Sequence, residues 1–180
     1  NWYNFAWCGG DGLVEQAVHS VDKISWLFGD KPPHSCVAVG GRQKSNNSGN
    51  IWDHIEVNYL YDNGSRGFLG QRQIPGCHNE NNDYIIGTKG RAQIAGGLLI
   101  FGKDAIKGKT DQWAYNANND FWRYTGKGGN MYQIEHDELF ASIRDGHPIN
   151  NGDRMCNATM MAIMGRIAGY TGRQVTWDQA

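Results

Sequence analysis

Apolar side chains recur every three or four positions between residues 14 and 28. The members of this stripe are Val14, Val18, Val21, Ile24 or Ser25, and Phe28. This spacing is the period of an α-helix with one buried face, so it predicts a single helix over this stretch. A glycine-rich turn at residues 9–12 leads into the helix, and Gly29 is a typical helix stop.

The middle of the chain changes to the period of two that is typical of β-strands. Alternate residues of 51–61 would share one face, and Asp53 is the one charged member: Ile51, Asp53, Ile55, Val57, Tyr59 and Tyr61. Asn63-Gly64 predicts a type I′ hairpin with a returning strand over residues 66–74. Further strands are predicted at residues 35–41, 84–86, 91–95, 98–101 and 112–115, with a turn at Gly96-Gly97. We therefore expect an antiparallel meander of five to seven strands.

The helical period returns near the C-terminus, where it predicts helices over residues 131–145 and 154–170. The second helix is rich in Met and Ala, and we expect one side of it to face the core: Met155, Thr159, Ala162, Ile163, Arg166 and Ile167. A methionine stripe at helical spacing is typical of a core rather than of a cofactor site.

The order helix, meander, two helices predicts an α+β fold class with an open-faced, mostly antiparallel mixed sheet and helices packed on one face. The chain has 180 residues, which suits a single domain. The other face of such a sheet would expose large apolar side chains. We therefore expect self-association through that face.

Composition and charge remove several functional classes. The net charge is −1 and the basic residues are scattered, which argues against nucleic acid and anionic membranes as partners. No run of 18 apolar residues predicts a spanning helix. Four cysteines without a CxxC pair predict neither a zinc site nor a disulfide framework, so we expect no metal and free, mostly packed thiols: Cys8, Cys36, Cys77 and Cys156.

Glu15 and His19 are the pair with the clearest chemical potential. On a continuous helix they would lie one turn apart, where the carboxylate could hold one ring nitrogen and raise the basicity of the other. A histidine oriented in this way can act as a general base. The alternative is a solvated ion pair on an ordinary helix surface.

Four stretches in their order resemble the C-terminal domain of the glucose-fructose oxidoreductase, inositol dehydrogenase and rhizopine-catabolism (Gfo/Idh/MocA) family. They are residues 9–22, residues 26–30, the Gly87-Thr88-Lys89-Gly90 turn and residues 170–177. The resemblance implies a dihydrodipicolinate-reductase-like C-terminal domain, preceded in the family by a nucleotide-binding Rossmann domain. Neither GxGxxG nor Glu-Lys-Pro occurs in the chain. We therefore expect residues 1–180 to be a substrate-binding and oligomerisation domain without its N-terminal Rossmann domain, inactive alone.

The resemblance also implies a site. Glu15 and His19 occupy the family's carboxylate and histidine positions, although Asp is commoner there than Glu, and His19 would exchange the proton of a substrate hydroxyl during hydride transfer. Trp7 and Asp11 are candidates for stacking on a sugar ring and for binding its hydroxyls. Asp53, His54 and His78 are weaker candidates for substrate binding, and a structural role is the alternative for each of these residues. NAD or NADP would be bound mainly by the missing domain.

Three functions are consistent with these residues. The first is an NAD(P)-dependent oxidoreductase acting on a sugar, glycoside or cyclitol CH–OH group, as a homodimer or tetramer joined through the open sheet face. The second is an NAD-dependent glycosidase that works by redox elimination. The third is a non-catalytic binding or oligomerisation module. The sequence leaves open the substrate, NAD against NADP, the reaction direction, and a cytoplasmic or folded, exported periplasmic location.

Overall fold

The computed structural model describes residues 2–44, 48–94, 98–106, 111–126 and 128–180. The chain divides into two compact units, one formed by Asn1–Cys77 with Asn150–Ala180 and the other by His78–Ile149. The helices are α1 (Asp11–Glu15), α2 (Val18–Leu27), α3 (Met131–Arg144) and α4 (Gly152–Thr171). The strands are β1 (Ser35–Gly41), β2 (His54–Leu60), β3 (Arg66–Arg72), β4 (Tyr84–Gly87), β5 (Gly90–Gln93), β6 (Leu99–Phe101), β7 (Trp113–Asn116), β8 (Phe121–Tyr124) and β9 (Val175–Thr176).

The predicted class is confirmed: helices combine with antiparallel sheets. The described strands form two sheets, with the orders β3-β2-β1-β9 and β4-β5-β6-β8-β7, a partition that the sequence did not predict. Every pairing between these strands is antiparallel.

The core of the first unit lies between one face of its sheet and helix α4. As predicted, the alternate residues of the stretch 51–61 are all buried, including Asp53. Gly165 of α4 lets the helix approach this face closely, because a Cβ atom there would lie 3.0 Å from the Tyr59 hydroxyl. Tyr59 also donates a hydrogen bond to the carbonyl of Met161 at 3.0 Å. The sheet and α4 therefore form two layers with a common hydrophobic core between them.

The hairpin between β2 and β3 is present, but its turn is not type I′. Gly64 has a φ of +81°, whereas Asn63 is not among the described residues with positive φ, and a type I′ turn needs both. The Gly64 N–H donates to the Tyr61 carbonyl, and the Tyr61 N–H donates to the Ser65 carbonyl. The loop is thus a longer turn that ends on a left-handed glycine.

Two predictions on the helices are wrong in detail. The first predicted helix is divided at Gln16 and Ala17, whose N–H groups both donate to the Gly12 carbonyl. The inner face of α4 is also shifted from the predicted stripe: the buried residues are Ala158, Met161, Ala162, Met164, Gly165 and Ala168, while Met155 is exposed. Met161 and Met164 nevertheless belong to the core, as expected for methionines in this helix.

Helices α2 and α4 are joined by one charged cluster. Arg154 of α4 makes a two-pronged contact with the Asp22 carboxylate, at 3.2 and 3.0 Å. Its guanidinium also lies 4.1 Å from the ring centroid of Trp26. A planar guanidinium can serve both partners at once, so this cluster fixes α2 along α4.

The second unit contains the five-stranded sheet and α3. Asn130 caps α3 by accepting the N–H of Tyr132, and Gly146 with a φ of +70° follows the helix end, as the sequence predicts. Strand β8 was not predicted. The predicted turn at Gly96-Gly97 and the end of the predicted strand 91–95 lie outside the described residues. Within the described part of the chain, no helix combines the length and hydrophobicity needed to cross a membrane.

Candidate functional site

The segment before α1 is fixed by backbone hydrogen bonds. It begins with a 3-10 helix, Trp2–Asn4, whose last carbonyl accepts the N–H groups of Asn50 and Ile51 at 2.9 and 3.3 Å. The Asn50 side chain accepts the Ala6 N–H at 2.8 Å. These bonds connect residues 2–6 to the loop that precedes β2 and thereby fix the backbone that leads into α1.

Asp11 opens α1 in a left-handed backbone conformation, with a φ of +59° and only 2% exposure. Its Oδ1 accepts the Trp52 N–H at 3.0 Å and the Tyr170 hydroxyl at 3.1 Å, and its Oδ2 accepts Nε of Arg166 at 2.9 Å. Arg166 also donates to the Ala6 carbonyl at 3.1 Å. Both carboxylate oxygens are thus engaged within the protein, and the predicted contact with a substrate hydroxyl stays a prediction.

Tyr170 contributes a phenol to this cluster, and its surroundings raise the pKa of that phenol. Burial raises the pKa of its phenol to about 12, assisted by the hydrogen bond to Asp11 and opposed by Arg166. The ring stacks on Trp52 with centroids 4.1 Å apart. A neutral phenol, a guanidinium and a buried carboxylate therefore form one satisfied structural network at the base of α1.

Glu15 is the last residue of α1 and is half-buried. Its Oε1 accepts the Gly10 N–H at 3.0 Å, so the carboxylate folds back toward the start of its own helix. Among the described residues, Oε2 has no hydrogen-bond partner. The carboxylate is therefore held in one orientation and retains an acceptor for a ligand.

His19 lies in the first turn of α2 and is exposed. The expected hydrogen bond between Glu15 and His19 is not formed by these two described residues, because the helix is divided between them and Glu15 is bonded to Gly10. The imidazole is consequently accessible to a ligand, and its tautomer is not fixed by Glu15.

Trp7 presents its ring to solvent, with 80% of the residue exposed. Its ring centroid lies 6.4 Å from that of Phe5. An exposed indole on a fixed segment offers a flat surface that a ring with apolar C–H faces can cover. This geometry is compatible with the stacking role that was predicted for Trp7.

Asp53 is 4% exposed and is surrounded by donors. Its carboxylate accepts the N–H groups of Gln43 and Lys44, at 2.9 and 2.7 Å, and it lies 2.8 Å from Nδ1 of His54. Burial alone would raise the pKa of Asp53, but the hydrogen bonds from His54, Gln43 and Lys44 outweigh it and hold the pKa below its ordinary value. Asp53 thus orders the loop before β2, and its predicted substrate contact stays a prediction.

The structure brings six of the seven predicted residues into the first unit: Trp7, Asp11, Glu15, His19, Asp53 and His54. His78 is exposed and begins the second unit. Its predicted contact with substrate stays a prediction.

Tyr3 is a polar residue of this region that the sequence did not single out. Its hydroxyl donates to Oε1 of Gln73 at 2.9 Å, a partner 70 positions away. Burial raises the pKa of the phenol, the bond to Gln73 lowers it, and the Glu15 and Asp11 carboxylates raise it. Residues 2–7 are rich in aromatic side chains, but no local pattern links Tyr3 to Gln73.

The described residues hold no group of three His, Cys, Asp or Glu side chains arranged for a metal ion. They also fit only part of a nicotinamide cofactor site. Dinucleotides are bound by parallel βαβ units, whereas the described strands pair only antiparallel. His19 and Glu15 can face a reacting substrate. The described residues contain no parallel βαβ unit that would bind the nucleotide part of the cofactor.

The fold, with its antiparallel sheets and packed helices, is that of the C-terminal α/β domain of an oxidoreductase family. The family model "Oxidoreductase family, C-terminal alpha/beta domain" matches residues 1–154, and the chain belongs to this Gfo/Idh/MocA family. No curated protein matches the chain in sequence.

Solved structures with the same fold are distant in sequence. GenD2 from gentamicin A biosynthesis, in complex with NAD, is 18% identical with a TM-score of 0.67, over 97% of this chain and 50% of that one. An aldose-aldose oxidoreductase from Caulobacter crescentus, complexed with glycerol, is 17% identical with a TM-score of 0.69, over 98% and 50%. The WlbA dehydrogenase from Bordetella pertussis, in complex with NADH and UDP-GlcNAcA, is 15% identical with a TM-score of 0.60, over 96% and 45%. The chain therefore spans about half the length of these proteins.

Proposed function

We propose that the chain is the substrate-binding domain of a nicotinamide-dependent oxidoreductase that acts on a CH–OH group of a sugar, glycoside or cyclitol. The observation that carries the proposal is the exposed His19, four positions after the anchored Glu15, in a chain of this oxidoreductase family. The sugar-related relatives that hold NAD or NADH support the proposal at the level of the family.

We assign each side chain a part that its geometry allows. An imidazole nitrogen of His19 accepts the proton of the substrate hydroxyl that is being oxidised. Glu15, held by Gly10, accepts a hydrogen bond from a substrate hydroxyl at Oε2. The indole of Trp7 stacks on the apolar face of the ring. Asp11 holds Arg166, which also donates to the carbonyl of Ala6 next to Trp7, and Asp53 orders the loop before β2.

The cofactor is NAD or NADP, and a separate nucleotide-binding domain holds most of it. When bound, it accepts the hydride from the carbon that carries the hydroxyl. The residues of this chain position the alcohol, take its proton and keep its other hydroxyls hydrogen-bonded.

The test uses the protein together with its nucleotide-binding domain. NAD⁺ or NADP⁺ is supplied with hexoses, glycosides and inositols in turn, and reduction is followed at 340 nm. We expect one compound class to give reduced cofactor, and His19→Ala to lower kcat by roughly 100-fold or more. The matched control is His147→Ala, another exposed histidine. Absence of reduction with every compound, or full activity of His19→Ala, would reject the proposal.

We further propose that the chain self-associates through the outer face of its four-stranded sheet. The side of β1–β3 that points away from α4 exposes three apolar residues: Val37, Val39 and Phe68. Phe68 is 73% exposed, and burying an aromatic side chain of this size against a second copy would be favourable. Phe68→Glu should convert a dimer or tetramer to a monomer in light scattering coupled to size exclusion, whereas Ile86→Glu in the second unit should not. An unchanged mass for Phe68→Glu would contradict this arrangement.

A further inference from the structure

We infer that Tyr3 and Gln73 form a second hydrogen-bonding arm of the Glu15 site, which together with Glu15 binds two adjacent hydroxyl groups of the substrate. The inference rests on the proposed function for the identity of the site. It assigns Tyr3, a residue outside the predicted set, to substrate positioning.

The first step is that Tyr3 and Glu15 are held on either side of the same two glycines. A Cβ atom at Gly9 would lie 3.0 Å from the Tyr3 carbonyl oxygen, so the backbones of these residues are in contact. The next residue, Gly10, donates its N–H to Oε1 of Glu15. Because Asn4 is bonded to the loop at residues 50–51, the 3-10 turn that carries Tyr3 cannot swing away without breaking these bonds.

The second step concerns Gln73, which is itself anchored. Its N–H donates to the Asp53 carbonyl at 2.8 Å, and the Asp53 carboxylate is fixed by the backbone of Gln43 and Lys44. The amide of Gln73 is thus a defined acceptor for the Tyr3 hydroxyl. This arrangement gives the buried Asp53 a function in the site, as the support of this arm.

The third step is a count of donors and acceptors. The Tyr3 hydroxyl hydrogen is directed to Gln73, which leaves the phenol oxygen as an acceptor toward a ligand. Glu15 offers Oε2, which is also an acceptor. Acceptors on Tyr3 and Glu15, two residues that both adjoin the Gly9-Gly10 backbone, suit a ligand that presents two O–H donors, and they disfavour a phosphate or carboxylate at the same place. A tyrosine phenol is neutral at neutral pH, and the direction in which burial shifts the pKa of Tyr3, upward, is consistent with this role.

The test measures binding by calorimetry in the protein with its nucleotide-binding domain. The probes are D-glucose, D-galactose, N-acetyl-D-glucosamine and myo-inositol, followed by deoxy analogues of the compound that binds. We expect Tyr3→Phe to weaken binding of that polyol by about tenfold, the effect of one lost hydrogen bond. One deoxy analogue, lacking the hydroxyl that meets Tyr3, should bind wild type and Tyr3→Phe equally. Tyr132→Phe, which alters an exposed tyrosine, is the matched control.

A second variant separates positioning from general damage. Gln73→Leu removes the acceptor that orients Tyr3 and should weaken binding, while the double variant Tyr3→Phe/Gln73→Leu should be no worse than the stronger single variant. Melting temperatures near that of wild type would establish that the variants are folded.

The outcomes distinguish this inference from the proposed function. Polyol binding that depends on Tyr3 but without cofactor reduction would reject the oxidoreductase proposal and support the binding arm. Cofactor reduction with unchanged polyol affinity in Tyr3→Phe would support the oxidoreductase proposal and reject the binding arm. Equal weakening for the polyol and all its deoxy analogues, or no binding of any probe, would overturn the inference.

Discussion

The two units of the chain differ in how they use their apolar residues. In Asn1–Cys77 with Asn150–Ala180, side chains from helices and sheet form a core in which Leu13, Tyr59 and Met161 are fully inaccessible. In His78–Ile149, none of the described residues is buried. Its sheet relies on backbone ladders and on surface aromatic pairs such as Tyr115–Trp122, at a centroid distance of 5.0 Å.

This difference indicates that the first unit supplies most of the buried core that stabilises the fold. A sheet or helix needs a second layer to bury its apolar side, and in the first unit α4 provides that layer. The proposed site residues Tyr3, Glu15 and His19 belong to that unit and are held by its core and hydrogen bonds. In the second unit, α3 leaves Ile134, Phe140 and Ile143 substantially exposed. We therefore expect substitutions in the two units to have unequal effects on folding.

The largest contrast is expected between Leu13→Ala and Phe140→Ala. Leu13 is completely buried in the core, so its truncation should lower the free energy of unfolding by about 3–5 kcal/mol. Phe140 is about half exposed, and its truncation should cost less than about 1 kcal/mol. Urea unfolding followed by circular dichroism measures both. Equal losses would mean that the second unit has a core of its own that these side chains do not reveal.

A smaller effect is expected at Asp11. The change Asp11→Asn keeps a residue that tolerates positive φ but removes the charge opposite Arg166. Because Arg166 is partly exposed, we expect a loss of about 2–3 kcal/mol, less than for a wholly buried ion pair. Asp137→Asn alters an exposed carboxylate of α3 that is bonded to Gln133, and it should be nearly neutral. If both variants melt at the same temperature, Asp11 does not join α1 to α4 energetically.

The parts of the fold that could be predicted are those with a local period. The alternation over residues 51–61 fixed which side chains of β2 face inward, and Gly146 marked the end of α3, because these signals lie within the element itself. The division of the first helix was missed since the apolar stripe continues through Val14 and Val18 on both sides of the break. Helix α4 was misoriented because Met and Ala occur on several of its sides.

The site was harder to predict because its partners are far apart in sequence. Glu15 and His19 could be proposed from their spacing and the family resemblance, but the bond from Gly10 to Glu15 depends on how the turn folds back. Asp11 meets Arg166 and Tyr170, and Tyr3 meets Gln73, over separations that no local pattern encodes. Sequence therefore identified residue types capable of chemistry, while the structure separates carboxylates engaged by the protein from the one with an available oxygen.

The smallest expected effect is on the loss of stability at low pH, and it involves Asp53 of the first unit. The pKa of Asp53 in the folded chain lies below the ordinary value of 3.8, so its stabilising contribution is complete above that value and is lost as the pH falls through the folded-state pKa. Asp53→Asn lacks this contribution at every pH, and its melting temperature should therefore decline less between neutral pH and pH values below about 4 than that of wild type. Asp137→Asn should retain the wild-type acid profile. Parallel declines for wild type and Asp53→Asn would show that the bonds from Gln43, Lys44 and His54 do not favour the charged carboxylate, and the support proposed for Gln73 and Tyr3 would then have to come from the backbone alone.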